Sequence, residues 1–262
     1  MSPVGLLRKI VRKLKRIVCP PPHAPSPSGA VGTRNLSTRE EWLKRTLAEI
    51  PAGKRILDAG AGELKYKPLC AHLDYVSQDF AQYEGTGDGI GLQTGSWDQS
   101  RLDIVSDITR IPEPDASFDA AMCIEVLEHV PAPVDALREL ARLLKPGGVL
   151  VVTAPFCSFT HFAPYFFQTG YSRYFYEHWL QALGFEIEDM QWNGNYFEFL
   201  AQELRRLPSV AADYTHVAPD QHEQAATQHV LGLLNRLSSA DNGSEQFLSF
   251  GIHVRARKKE RY

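Results

Sequence analysis

The chain has 262 residues, 44% of them hydrophobic and 23% charged, which suits one substantial soluble core with short appendages. Its formal net charge of −3 hides an asymmetry, because residues 1–18 carry six Lys or Arg and no acid, leaving the body more acidic than the total. An acidic body excludes a general nucleic-acid footprint, which needs a basic face on the folded domain, and no apolar run reaches the length of a membrane span.

Leu6, Leu7, Ile10, Val11, Leu14, Ile17 and Val18 recur at helical spacing with the basic residues mainly between them, which predicts a basic amphipathic helix over 1–18. Residues 5–18 are the expected contact with an anionic membrane surface, although a helix packed on the domain or a solvated basic tail satisfies the same pattern. Residues 19–35 are rich in Pro, Ser and Gly and read as a linker. Cys19, Cys70, Cys123 and Cys157 stand singly, with neither zinc-site spacing nor the density of a disulfide scaffold. A reducing compartment follows, and with it a cytoplasmic protein, peripheral at the inner membrane face if the basic helix docks.

The folded domain is expected over 36–262. Ser37-Thr-Arg-Glu40 has the capping-box form, with Trp42, Leu43, Leu47 and Ile50 behind it as one apolar stripe. Arg55-Ile-Leu-Asp-Ala-Gly-Ala-Gly-Glu63 is an apolar strand that ends in Asp58 and breaks into Gly60 and Gly62, a turn where the backbone must come close to something. Tyr75-Val-Ser-Gln-Asp79 reads as a second strand. Its terminal acid stands at the distance from the glycines where a carboxylate meets the ribose hydroxyls of a bound nucleoside. A long Gly-rich connection over 80–100 follows, of a length more often functional than neutral. Leu102–Asp107 and Ser117–Glu125 read as two more strands ending in acids, Pro133 opens a helix that Lys145-Pro-Gly-Gly148 closes, and Val149–Thr153 is a buried parallel strand. Helices are expected over 177–183, 196–207 and 222–237, and strands from Gly184 and over 247–256.

Asp58, Asp79, Asp107 and Glu125 thus close four successive strands. Such a rim suits a cationic ligand, or a neutral one rich in hydroxyl and amine donors, and repels the phosphates of a dinucleotide. Polar residues are also common wherever strands leave a core, and a short Gly-x-Gly match alone does not separate a ligand turn from a plain strand-to-helix turn.

In the order and spacing of Ile-Leu-Asp-Ala-Gly-Ala-Gly (56–62), Gln-Asp-Phe (78–80), Asp-Ile-Thr-Arg-Ile-Pro (107–112), Ser-Phe-Asp-Ala-Ala-Met-Cys-Ile-Glu-Val-Leu-Glu-His-Val (117–130) and Leu-Leu-Lys-Pro-Gly-Gly (143–148), the chain resembles the class I S-adenosylmethionine-dependent methyltransferases, of the small-molecule and glycan-type branch. The resemblance implies an α/β Rossmann-like fold, a doubly wound, seven-stranded and mostly parallel sheet with an antiparallel edge strand. It implies S-adenosylmethionine as cofactor and methyl transfer to an O, N or C nucleophile of a small-molecule or glycan acceptor. By the same resemblance Gly60 and Gly62 let the methionine part of the cofactor approach with Asp58 below it, Asp79 takes the ribose hydroxyls, Asp107 the adenine amine, Ile108 packs on adenine, and Glu125 faces the reacting centre. Leu64 stands where a third glycine is common, which suggests a different path for residues 63–66. A nicotinamide-dependent dehydrogenase would need glycine where Lys65 stands. A non-catalytic cofactor-binding or scaffolding protein on the same fold is the other alternative.

The segment 156–176 is the expected cover of the acceptor, with Phe156, Phe159, Phe162, Tyr165, Phe166, Phe167, Tyr171, Tyr174 and Tyr176 as an aromatic wall, although any single Phe is better explained by the core. His161 is the leading general-base candidate, with His129 behind it, against the plain alternative of structural histidines. Arg173 would orient an anionic acceptor if it points inward. No metal is expected, and the sequence leaves oligomeric state open.

Overall fold

The computed structural model describes residues 30–260, so the basic segment 1–18 and most of the linker lie outside the described residues. Among the strands, β1 (Arg55–Ala59), β2 (Asp74–Asp79), β3 (Ile104–Val105), β4 (Phe118–Ile124), β5 (Leu144–Pro155), β6 (Phe185–Asn193) and β7 (Gly251–Lys258) form one seven-stranded sheet in the order β3-β2-β1-β4-β5-β7-β6. Pairing is parallel from β3 to β5, while β7 runs antiparallel between β5 and β6. The Rossmann-like, mostly parallel sheet is as expected, with the last strand inserted beside its neighbour and β6 outermost.

Period-two alternation assigns the two faces. Ile56, Ala120, Met122, Ile124, Val149 and Val151 pack with Trp42, Leu43 and Leu47 of α1 (Asn35–Ala48). Their alternates Leu57, Ala121, Cys123, Leu150 and Val152 pack with Leu137 and Leu140 of α2 (Pro133–Leu143) and with Tyr176 and Leu180 of α3 (Arg173–Ala182). Each such fully buried aliphatic side chain contributes about 1.5–3 kcal/mol, so both faces hold the sheet. The Trp42 indole donates to Asp189 at 3.0 Å, tying α1 to the outermost strand.

Local chemistry explains several departures from expectation. The folded unit begins earlier than residue 36: Val31, only 3% exposed, packs with Ala201, Leu231 and Leu234 of the helices α4 (Tyr196–Tyr214) and α5 (Gln221–Ser239). The capping box at Ser37 does not form. Helix α1 starts at Asn35, and the Ser37 hydroxyl donates back to the Arg34 carbonyl. The third strand shrinks to two residues because Asp103 accepts from the Ser77 amide and hydroxyl, at 2.9 and 2.6 Å, and so replaces ladder pairing by side-chain bonds. Helix α4 runs through Pro208, since one lost backbone bond is offset by packing on α5.

Candidate active site

The glycine turn after β1 is held from β2. The Gln78 carbonyl accepts from the Gly60 and Ala61 amides at 2.8 and 2.9 Å, and the Asp79 carboxylate accepts from the Gly62 amide at 2.9 Å. Gly60 (φ +82°) abuts Val126, and a Cβ there would sit 2.4 Å from a Val126 methyl. Leu64 has φ +65°, the left-handed conformation usual for glycine, so the chain keeps the glycine path rather than taking the different route its side chain suggests. That conformation costs a non-glycine residue roughly 1–2 kcal/mol.

The four acids divide. Asp58 is 1% exposed, lies under the turn rather than at the rim, and accepts from the Tyr75 hydroxyl at 2.6 Å. Burial pushes its carboxyl up to about 7, against the Tyr75 hydrogen bond, with Asp79 adding to the rise. Asp79 also accepts from the Ala81 amide at 3.0 Å and from the Gln99 amide at 3.3 Å. Asp107 is exposed and accepts from the Thr109 amide and hydroxyl, both at 2.8 Å, while Ile108 is buried in the core. Glu125 has φ +56°, accepts from the Thr153 hydroxyl at 2.8 Å, and pairs with Arg39 of α1 at 2.6 Å.

The residues at this turn fit an adenosyl cofactor with a cationic centre. Carboxylates that can accept from hydroxyl and amine groups stand at the end of β2 and beyond β3. Gln78 Oε1 is buried without a hydrogen-bond partner beside it, an acceptor held in reserve. The connection 80–100 covers the turn: the Trp97 ring lies 3.0 Å from where a Gly62 Cβ would be.

That connection is stacked onto the segment 156–176. Tyr83 stacks on Phe162 at 4.7 Å, Phe162 on His129 at 5.0 Å, and Phe80 meets Tyr165 edge-on at 4.9 Å. The aromatic wall is therefore divided. Tyr171 and Tyr176 are core, Phe162 and Tyr165 bind the Gly-rich connection, and Tyr174 and Phe167 point outward. Arg173 lies over the Tyr174 ring at 4.8 Å and near Glu177, away from the cavity.

A cavity of about 210 Å³ opens at the carboxyl end of β4 and β5, lined among others by Arg39, Glu125, Phe159, His161, Glu203 and Arg206. It reaches the glycine turn through consecutive residues, since Glu125 lines it and Val126 touches Gly60. His161 faces it with its Nδ1 bonded to the Phe159 carbonyl at 2.8 Å, and His129 sits behind, 4.6 Å away ring to ring. Burial lowers the pKa of both imidazoles, for His129 to about 4. Arg39, Glu203 and Arg206 come from elements outside the motif-bearing core, and nothing in their local sequence marks them. Glu128 was likewise passed over. It is buried next to both histidines, 33 residues before His161, and only the fold joins it to His161.

A model of the methyltransferase domain family matches residues 57–152. The demethylmenaquinone methyltransferase of Renibacterium salmoninarum is 33% identical over 182 residues, 66% of this chain and 69% of that protein. The ubiquinone biosynthesis O-methyltransferase of Marinobacter nauticus is 34% identical over 106 residues, with the match spanning 39% of this chain and 44% of the relative. Among solved structures, an S-adenosylmethionine-dependent methyltransferase from Archaeoglobus fulgidus superposes with TM-score 0.52 at 16% identity, over 85% of this chain and 94% of that one. The [4+2]-cyclase SpnF superposes with TM-score 0.53 at 21% identity, over 88% and 84%. At these identities the superpositions establish the fold.

Proposed function

The chain belongs to the class I S-adenosylmethionine-dependent methyltransferases, and from that premise we propose that it methylates a hydroxyl of a hydroxylated ring compound, of the quinol class, held in the cavity beside Glu125 and His161. One observation carries the reading: a cavity sized for about one ring, with Phe159 as an apolar wall, lies one residue from the cofactor turn. The names of the relatives support it, a demethylmenaquinone methyltransferase for the ring class of acceptor and a ubiquinone biosynthesis O-methyltransferase for oxygen as the methylated atom.

When bound, S-adenosylmethionine supplies an electrophilic methyl group on a sulfonium sulfur. The protein's part is alignment and proton removal. Gly60 and Gly62 leave room against the turn, Asp79 takes the ribose hydroxyls, Asp107 and Ile108 take the adenine, Asp58 supports the turn from below, and Glu125 provides a negative charge near the reacting centre. His161 donates its Nδ1 proton to a carbonyl, so its Nε2 is the atom that receives the acceptor's proton as the oxygen attacks. His129, whose Nδ1 bonds the Tyr165 carbonyl at 2.6 Å, positions His161 from behind. The test is methyl transfer from labelled donor to a panel of quinols, simple phenols and lipid-linked or nucleotide sugars. Labelling of sugars alone would overturn the ring assignment.

The same reading places the enzyme in the cytoplasm at an anionic membrane face. No helix among the described residues is long and apolar enough to cross a membrane. Support comes from the basic amphipathic pattern of residues 5–18 and from Leu207, Val210, Tyr214, Leu233 and Leu237, which α4 and α5 leave exposed. Flotation with anionic vesicles should be lost on deleting residues 1–29 and should weaken with salt. Equal flotation of the truncated protein would overturn this location.

A further inference from the structure

Glu128 is fully buried, and neither of its carboxylate oxygens has a hydrogen-bond partner. A charge in that position is strongly unfavourable unless something positive meets it. What meets it are two imidazoles. His129 Nε2 lies 3.7 Å and His161 Nε2 3.9 Å from Glu128 Oε1, both beyond hydrogen-bonding range.

The tautomers follow from the other ring nitrogens. His129 Nδ1 is 2.6 Å from the Tyr165 carbonyl and His161 Nδ1 is 2.8 Å from the Phe159 carbonyl. A carbonyl only accepts, so both Nδ1 atoms carry hydrogen and both Nε2 atoms turn a lone pair toward the carboxylate. His129 Nε2 is itself buried without a partner. One carboxylate oxygen and two imidazole nitrogens therefore converge at the inner edge of the cavity, and the three atoms all lie within 4.8 Å of one another. Backbone carbonyls behind both rings are the arrangement that orients metal-ligating histidines, and stacking on Phe162 holds the His129 ring in place.

We infer that Glu128, His129 and His161 form a binding site for a divalent transition cation such as zinc. Zinc bonds of about 2.0–2.2 Å at tetrahedral angles put ligand atoms roughly 3.4 Å apart, so each histidine has to close on Glu128 by about half an ångström or less and the two histidine nitrogens, within 4.8 Å of each other, by at most about 1.4 Å. Two imidazoles and one carboxylate favour zinc and its neighbours over magnesium or calcium, which take oxygen ligands. Three protein ligands leave a fourth position open, the pattern of a catalytic rather than a structural zinc site. Because His161 also lines the acceptor cavity, the open position would suit an acceptor oxygen; with the cation bound, the His161 Nε2 lone pair would be taken up, and the acceptor would release its proton to solvent and be held as the oxyanion in place of the proton transfer to His161. This consequence, though not the cation site itself, rests on the proposed acceptor reading.

The test uses the full chain, stripped with a chelator and titrated with zinc, cobalt(II) and magnesium. One zinc per chain should bind with micromolar affinity or better, millimolar magnesium should not displace it, and the cobalt form should show the intense visible bands of a four-coordinate site. His161→Ala and Glu128→Gln should each weaken zinc binding by about 100-fold or more, while circular dichroism and S-adenosylmethionine binding show both variants folded. Absence of a stoichiometric zinc site in the wild type, as for a Glu128 that merely holds a proton, overturns the inference, as does unchanged affinity in both variants. Zinc binding without methyl transfer to any ring acceptor would overturn the proposed function alone, and methyl transfer with no zinc site would overturn the cation site alone.

Discussion

Arg39, on the first helix, reaches across the carboxyl end of the sheet to Glu125 at 2.6 Å, while Thr153 donates to the other oxygen of the same carboxylate at 2.8 Å. Burial works against the charge of Arg39, but Glu125 and Tyr66 outweigh it and hold its pKa above the ordinary value. Glu125→Gln keeps the Thr153 bond and leaves the guanidinium without its counter-charge. Unfolding in urea should show a loss of about 2 kcal/mol, less than a fully buried pair would give because both side chains are partly exposed. Arg39→Met in the same background should recover part of it, and strictly additive losses would show that the pair is not coupled.

Asp79→Ala removes the acceptor of the Gly62 and Ala81 amides together with the proposed ribose contact. Calorimetry should find binding of S-adenosylmethionine weakened about tenfold or more, as for a lost charge-assisted hydrogen bond. Unchanged affinity would remove Asp79 from the cofactor site.

Gly60→Ala meets two obstacles, the positive φ and the Val126 methyl at 2.4 Å. A loss of about 2–3 kcal/mol is expected, with cofactor binding impaired in proportion. Val126→Ala relieves the contact but not the dihedral, so the double variant should lie between the single Gly60→Ala and the wild type. Full recovery would assign the whole cost to the methyl.

Asp58 offers a pH test with a definite sign. Its folded pKa, about 7, stands above the ordinary carboxyl value, so the folded state prefers the protonated form. Stability from this group is complete below the unfolded pKa near 3.9 and is lost as pH rises through the window to about 7, a fall of roughly 4 kcal/mol at the limit. Asp58→Asn should flatten that slope in thermal melts taken from pH 4 to 8. A slope equal to that of the wild type would place the titration elsewhere.

The sheet was legible in the sequence because Ile56 and Leu57, or Ala120 and Ala121, alternate between two apolar layers, and that alternation survives any detail of packing. The glycine turn was legible as well, since Gly60 and Gly62 both adopt positive φ. Less of the site could be read. Arg39 and Arg206 reach the cavity from helices 167 residues apart, and Glu128 becomes a neighbour of His161 only when the segment after β5 folds back over the turn after β4. Leu64 misled in the opposite direction, because its backbone obeys the turn while its side chain obeys the core, where it is 7% exposed. Ser37 shows that a capping motif competes with tertiary contacts: Asn35 accepts from Asn193 at 2.9 Å, and the helix starts there instead.

The stack of Tyr83 on Phe162, which meets the His161 ring edge-on at 5.2 Å, ties the connection over the glycine turn to a residue that lines the proposed acceptor cavity. Were the connection to lift for one reactant, it would pull through Phe162 on the His161 ring beside the proposed seat of the other. In kinetic language the two reactants do not arrive independently: a cofactor that settles the cover first leaves the seat formed for the acceptor, and an acceptor that arrives first meets an unsettled wall. Steady-state rates should accordingly follow a compulsory order, with cofactor leading, and replacing Phe162 by Ala should make that order random.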